Sequence, residues 1–510
     1  MEEFDVVLVG TSPAQALLAA ALTLQGQRVM HIDSETRYGS EQASLSLSEF
    51  ARACESEEAL DNKFDASRRI RFKHYGFNDS PEALELVQLA KKKQRRFVVD
   101  LSCRLVLSAG PLVDAIVRSK STDYFGFAPV NRIFALEATE LKTIPLSKAD
   151  IFQSEFLSLQ DKRLVMKFVH RFLQDKMAAM PSNADGKENK AQLFIEELED
   201  SGLSKSVLDM LLFSVGDCLH DQKQAGEESH LVSSETARRN FGHIVESMGR
   251  YGSGCFLYPV YGSASISELL ARKAAVFGGV YYLGAKVSRL VFNEDSSRMI
   301  GLDIDPDLQI RASSIVIEES LLPLEFSSET SETRLDHLVA LASGPLAVKK
   351  ESDRNSNCLV LIPPHNEAIG NAHGVRVIHV DCSSHTADEP FVTVYLSTIH
   401  SDTSTEELTR TLQVLCSKAD VFPIWTGAFE QRITSHVNPK LPSGMFLIQG
   451  SSMSMSHIDA VTQAERVFKQ LCPDRMFFPD DEYALQTASL GQPLDPDMGL
   501  LDSISDDDES

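Results

Sequence analysis

The stretch Phe4-Asp5-Val6-Val7-Leu8-Val9-Gly10-Thr11-Ser12-Pro13-Ala14-Gln15 decides the fold, together with Gly26 and Arg28-Val29-Met30-His31-Ile32-Asp33. Residues 4–10 are a β-rich apolar run ending on glycine, the pattern of a strand buried on both faces. Ser12 and Pro13 then offer an N-cap and a first-turn proline, an alanine- and leucine-rich run follows, and Gly26 suits the helix end. Residues 28–33 restore the strand pattern. The segment predicts one βαβ unit.

The ligand half of a dinucleotide fingerprint is missing from it. That fingerprint needs three glycines, for a tight turn, for close approach of backbone to pyrophosphate and for helix packing. In Gly10-Thr11-Ser12-Pro13-Ala14-Gln15 only the first is glycine, and Pro13 removes an N–H that would cradle phosphate. Asp33 still stands where an acid would hold a ribose. The expectation is a dinucleotide-type fold without flavin or nicotinamide, and a flavin-dependent oxidoreductase keeps only Asp33 and the fold in its favour. HExxH, GxSxG and a P-loop are absent, and the histidines show no nucleophile or metal spacing. No catalytic residue, cofactor or metal site is expected.

With 510 residues and 43 % apolar content, two domains plus loops are expected. Asp and Glu outnumber Lys and Arg by 73 to 49, a net charge of -24 that disfavours nucleic acid and anionic lipid. Residues 485–510 read as a disordered acidic tail. The basic run Lys91-Lys92-Lys93-Gln94-Arg95-Arg96 reads as the solvated last turn of a helix. Eight scattered cysteines without a CxxC pair suit a reducing compartment. The acidic start, the lack of a spanning apolar run and the lack of a CaaX cysteine point to an unlipidated cytosolic protein.

Amphipathic helical periodicity runs from about Pro111 to Glu228, including Leu112 to Val117, Lys162 to Leu173, Ile195 to Leu203 and Ser206 to Leu219. Within it, the polar stretch 180–192 reads as a mobile loop. Short β-like runs return after Tyr251, among them Val287 to Phe292, Ala312 to Ile317, Cys358 to Ile362, Val375 to Val380 and Phe391 to Leu396. An α/β fold with α+β elements is expected, in which residues 1–110 and 229–484 form one discontinuous domain and 111–228 a helical insert.

Three segments carry a resemblance. The first is Val29-Met30-His31-Ile32-Asp33 with Arg37-Tyr38-Gly39-Ser40 and Ala43-Ser44; the second is Ile144-Pro145-Leu146-Ser147-Lys148-Ala149-Asp150-Ile151-Phe152 with Asp161-Lys162-Arg163-Leu164-Val165-Met166-Lys167-Phe168. The third runs Gly249-Arg250-Tyr251-Gly252 through Phe256-Leu257-Tyr258-Pro259-Val260-Tyr261-Gly262, then Ala274-Ala275-Val276-Phe277-Gly278-Gly279-Val280-Tyr281. Together they resemble the family of Rab escort proteins and Rab GDP dissociation inhibitors, and the second segment resembles the escort branch.

The resemblance implies an FAD/NAD(P)-binding-like discontinuous domain carrying a platform for GDP-bound Rab GTPases, and a helical domain that shelters the geranylgeranyl lipid. It also implies a partner in Rab geranylgeranyl transferase and transient association with membranes. The platform positions fall on Tyr38, Ser265, Glu268, Arg272, Val280 and Tyr282, with Ser265 standing where the family has glutamate. Phe277 matches an aromatic used against the transferase, and its plain alternative is core packing beside a glycine turn. Lys162 to Leu173 is the helix expected to contribute to the lipid groove. A recycling inhibitor is the alternative reading within the family.

Overall fold

The computed structural model describes residues 2–55, 70–178, 192–223, 231–304, 308–322, 326, 330–347, 355–436, 439–450 and 452–478. The acidic tail and nearly all of the stretch 180–192 lie outside them.

The strand Glu2–Val9 pairs in parallel with Val29–Asp33 on one side and Leu308–Glu318 on the other. Its stretch of residues 6–9 is wholly apolar because both faces are covered there. Val6 and Leu8 pack with the helices Pro13–Leu24, Ala264–Val276 and Ile458–Leu471, while Phe4, Val7 and Val9 pack with Leu302, Ile304 and Ile317 beneath. Outside Val29–Asp33 lies the short edge strand Val280–Leu283, also parallel. Leu308–Glu318 takes Met445–Ile448 along its second half and leads an antiparallel pair, Met299–Ile304 and Val287–Phe292, along its first.

The helix Pro13–Leu24 begins with Ser12 at its N-cap and Pro13 in its first turn. It ends at Gly26, whose N–H donates to Thr23 O while that of Gln27 donates to Leu22 O, the paired bonds of a left-handed helix stop. In between, the pyrophosphate position is filled by protein. The Gln15 carboxamide accepts from the Ser12 N–H at 3.2 Å and donates to Val9 O at 2.6 Å. A Cβ on Gly10 would lie 2.5 Å from Gln15 Oε1 and 2.8 Å from Glu318 Oε2. The residues present therefore do not fit a flavin pyrophosphate: its place is taken by Gln15 and Glu318, both fully buried.

An eight-stranded sheet forms the second layer, in the order Ile70–Phe77, Pro423–His436, Thr330–Ala342, Val392–Ile399, Val375–Val380, Cys358–Ile362, Arg132–Glu137 and Glu140–Thr143. The helix Ser404–Ala419 packs Leu408, Leu412 and Leu415 on one face. The other face meets a helical layer made of Lys148–Gln153, Leu159–Ala178, Phe194–Asp200, Lys205–Val215 and Ser234–Ser247.

This corrects the expected helical range. Phe127–Val130, Arg132–Glu137 and Glu140–Thr143 are strands inside 111–228, and helices continue to Ser247. The helix Pro111–Arg118 packs with Pro13–Leu24 and Ile458–Leu471, in the first layer rather than the helical one. Arg132–Glu137 was missed because it joins the sheet in parallel with Cys358–Ile362, a pairing more than two hundred residues away in sequence.

Four histidines, three of them buried and His337 partly so, make folding pH-dependent. Burial pushes His31 and His457 down to about 3, and His337 and His379 down to about 4. An unfolded histidine binds a proton near pH 6.5, so below that pH the unfolded chain takes up protons that the folded one does not. Stability from these groups is complete above about 6.5 and falls as pH drops toward 4, by up to about 1.4 kcal/mol per pH unit for each. Urea unfolding midpoints should decline steeply between pH 6.5 and 4.5; a flat profile would contradict this account. At the glycine turn, Gln15→Ala should cost about 1–3 kcal/mol by stripping the partners of Ser12 N–H and Val9 O. The variant should gain no visible flavin absorbance, because Pro13 and Glu318 remain, and restored flavin binding would show that Gln15 alone blocks the site.

Candidate functional site: a surface around a sheet edge and an apolar cavity

The helix Ala264–Val276 carries three of the expected platform positions. Its start is fixed by a buried carboxylate: the Ser263 N–H and hydroxyl donate to Asp100 at 3.0 and 2.8 Å, and Tyr258 donates at 2.5 Å. A negative group there also suits the helix dipole. Glu268 and Arg272, one turn apart, both reach the surface. Arg272 lies over the ring of Tyr124 at 4.9 Å.

Tyr38 is half-buried on the loop after Val29–Asp33, edge-on to Tyr281 with ring centres 5.7 Å apart. Burial raises its pKa, and the charge of Glu268 adds to the effect. Neighbouring protein partly desolvates the Glu268 carboxyl and raises it as well. Tyr38, Glu268 and Arg272 thus gather on the helix-covered side of the sheet.

Two other expected positions lie elsewhere. Val280 and Tyr282 are 42 % and 40 % exposed, and they pair with Met30 and Ile32, whose side chains belong to the opposite face from Tyr281. The positions therefore wrap around the edge strand instead of forming one flat patch. Ser265 is a correction: it is buried, and its hydroxyl donates to Gly262 O at 2.7 Å to tighten the first turn of the helix. Phe277 is 47 % exposed with Lys273 Nζ 5.1 Å from its ring, so core packing does not describe it.

An apolar cavity lies between the helical layer and the eight-stranded sheet. Its volume is about 80 Å³. Val165 and Val169 line it from Leu159–Ala178, the helix singled out from sequence, with Ile151, Met210 and Phe241 from the other helices. Ile133, Leu359 and Leu361 line it from the sheet, and only Ser147, Lys148 and Ser214 among its lining residues are polar. Sequence reasoning could not name these residues, because the wall joins strands and helices far apart in the chain. Met455 completes the lining, and its N–H is held by Asp217 at 3.1 Å, which also accepts from Arg376 at 2.7 Å.

On the helical layer, Phe152 and Leu159 are 58 % and 81 % exposed. Phe152 lies in the last turn of the helix Lys148–Gln153, whose N-cap Ser147 is reciprocally bonded with Asp150.

One cluster of metal-type groups occurs among the described residues, Asp336, His400 and Glu430, with ligand atoms within 4.8 Å of one another. Cations of the chain already serve it. Lys73 Nζ is 2.6 Å from Asp336 and Arg432 Nε 3.1 Å from Glu430. Burial works against the Asp336 charge, but Lys73, Ser404 and His400 hold its carboxyl below the usual range. The arrangement is an ion network across the sheet. No helix among the described residues is long and apolar enough to cross a membrane.

Known proteins resemble the chain over most of its length. The chain is 29 % identical over 404 residues to mouse Rab proteins geranylgeranyltransferase component A 2, covering 76 % of this chain and 62 % of that protein. The chain thus spans about three-fifths of that relative's length. The Drosophila melanogaster component A is 23 % identical over 488 residues, covering 94 % and 90 %. A Rab GDI from Plasmodium falciparum superposes with a TM-score of 0.71 at 16 % identity, covering 93 % and 99 %, and an oxidoreductase from Methanosarcina mazei with 0.56 at 13 %, covering 91 % and 100 %. These two structures speak to the fold, which is of the FAD-binding-like type. The profile of the GDP dissociation inhibitor family matches residues 1–75 and 71–478, and the chain belongs to that family.

Proposed function

We propose that the chain acts as a Rab escort protein: it binds GDP-bound Rab GTPases, presents them to Rab geranylgeranyl transferase and shelters the prenylated product until it reaches a membrane. Its role is accessory and non-catalytic. The observation that carries this reading is the apolar lining between the helical layer and the sheet, because a geranylgeranyl group of roughly 20 carbons gains about 0.8 kcal/mol per buried CH₂; at about 80 Å³ the space is smaller than that lipid, so the helical layer would have to move outward to admit it. A wall of valine, isoleucine, leucine, methionine and phenylalanine matches that chemistry. The filled pyrophosphate turn argues against an oxidoreductase.

The edge around Tyr38, Glu268 and Arg272 supports a protein-binding role, since tyrosine and arginine, here half-buried and exposed respectively, are among the residue types that dominate interface energies. Within the family, the alternative is an inhibitor that recycles prenylated Rabs. The Ala149-Asp150-Ile151-Phe152 element favours the escort reading, because its phenylalanine is offered to solvent instead of to the core. Phe277 ends the same helix that carries Arg272, so a bound GTPase would compete for it. Phe152 belongs to the helical layer and leaves the platform clear.

Tyr38→Ala and Arg272→Ala should each weaken binding of GDP-loaded Rab about tenfold or more; Arg272→Ala should keep stability within about 0.5 kcal/mol of wild type, while Tyr38→Ala, which loses its edge-on contact with Tyr281, should cost about 1 kcal/mol. Ser265→Ala should leave that affinity unchanged. Phe152→Ala should spare Rab binding and reduce recruitment of the transferase to the Rab complex, more than Phe277→Ala does. Titration with labelled Rab, then with transferase, checks all five. Unchanged Rab affinity in both platform variants would remove the platform assignment.

A further inference from the structure

Asp33, at the end of the strand Val29–Asp33, is almost fully buried, and so are Thr11 and Ser40. Its Oδ2 accepts from the Thr11 hydroxyl at 2.5 Å and from the Ser40 hydroxyl at 3.1 Å, while Oδ1 accepts from the Glu35 N–H at 2.9 Å. The two hydroxyls are in turn acceptors. Thr11 N–H donates to Ser40 Oγ at 2.9 Å, and Gly39 N–H donates to Thr11 Oγ1 at 3.1 Å. Each hydroxyl gives one proton to the carboxylate and receives one from backbone, so the ring closes on itself. In a dinucleotide enzyme the acid at this position would receive ribose hydroxyls. Here two side chains of the protein supply them.

The ring holds a loop in a conformation the chain would otherwise avoid. Gly39 and Ser40 have consecutive φ values of +103° and +50°. A left-handed serine persists only where its surroundings over-determine it. Tyr38 immediately precedes this pair. The same strand end also anchors the far side of the surface, because Gly284 N–H donates to Glu35 O and Ala285 N–H to Asp33 O, both at 2.9 Å, just beyond the strand that bears Tyr282.

We infer that Thr11, Asp33 and Ser40, the remnant of a ribose-binding corner, are positioning residues that aim Tyr38 at the GTPase. The inference rests on the platform reading given above. With the hydroxyls gone, the carboxylate loses its partners in a dry site, the turn at Gly39 and Ser40 relaxes, and Tyr38 leaves Tyr281.

The test uses Thr11→Val, which keeps shape and removes the hydroxyl, Thr11→Ser, which restores it, and Ser40→Ala as a second break should the valine variant not fold. In the free protein, amide exchange at Gly39 should quicken about tenfold or more in Thr11→Val or Ser40→Ala and stay near wild type in Thr11→Ser. Affinity for GDP-loaded Rab should fall about tenfold with the breaking variants, yet change less than about twofold when Tyr38 is already alanine. Equal losses in both backgrounds, or unaltered exchange at Gly39, would overturn the inference while leaving the platform intact. If Tyr38→Ala itself binds Rab as wild type does, the platform reading fails and the inference with it.

Discussion

Buried backbone groups need partners, and at the first βα turn of this protein the partners come from the Gln15 carboxamide. A related fold that binds a dinucleotide would leave those groups for the ligand. With Gln15 and Glu318 packed against Gly10, the carboxyl ends of the parallel strands are closed from within, and the sheet is complete without a cofactor. The neighbouring loops and the edge strand are then free to present side chains outward. Tyr38, Glu268, Arg272, Val280 and Tyr282 all stand around that edge.

The second layer depends on a similar internal settlement of charge. Asp217 and Arg376 are both largely buried, and an unpaired member would carry a large desolvation cost. Paired, they tie the end of the helix Lys205–Val215 to the eight-stranded sheet and to the segment that carries Met455. The cavity wall is thereby assembled from three distant parts of the chain. Glu197 acts likewise within the helical layer, accepting from Arg171 at 2.7 Å and from Arg238 at 2.9 Å.

Legibility from sequence followed burial. Val287–Phe292, Cys358–Ile362 and Val375–Val380 were readable to the residue because their apolar or alternating patterns are local signals. Thr330–Ala342 and Pro423–His436, the longest strands among the described residues, were not read. Their apolar patterns are broken by Arg334, Asp336, Glu430 and Arg432, charges that make sense only once Lys73 and His400 are brought across the sheet. The surface tyrosine and arginine were legible through resemblance, whereas the burial of Ser265 was not: its hydroxyl turns back to Gly262 O, a detail of one helix turn. Nor could sequence say that Val280 and Tyr282 face away from Tyr38, since that depends on the register between the edge strand and Val29–Asp33.

The central claim is that the chain delivers a GTPase to an enzyme it does not itself contain. Its most direct test is geranylgeranylation of a GDP-loaded Rab by purified Rab geranylgeranyl transferase, followed with and without this protein. The account predicts that lipid transfer depends on the protein and that the product remains bound to it, in solution, in the absence of membranes. Lipid transfer that proceeds equally well without the protein, with the prenylated Rab aggregating whether or not it is present, would contradict the account.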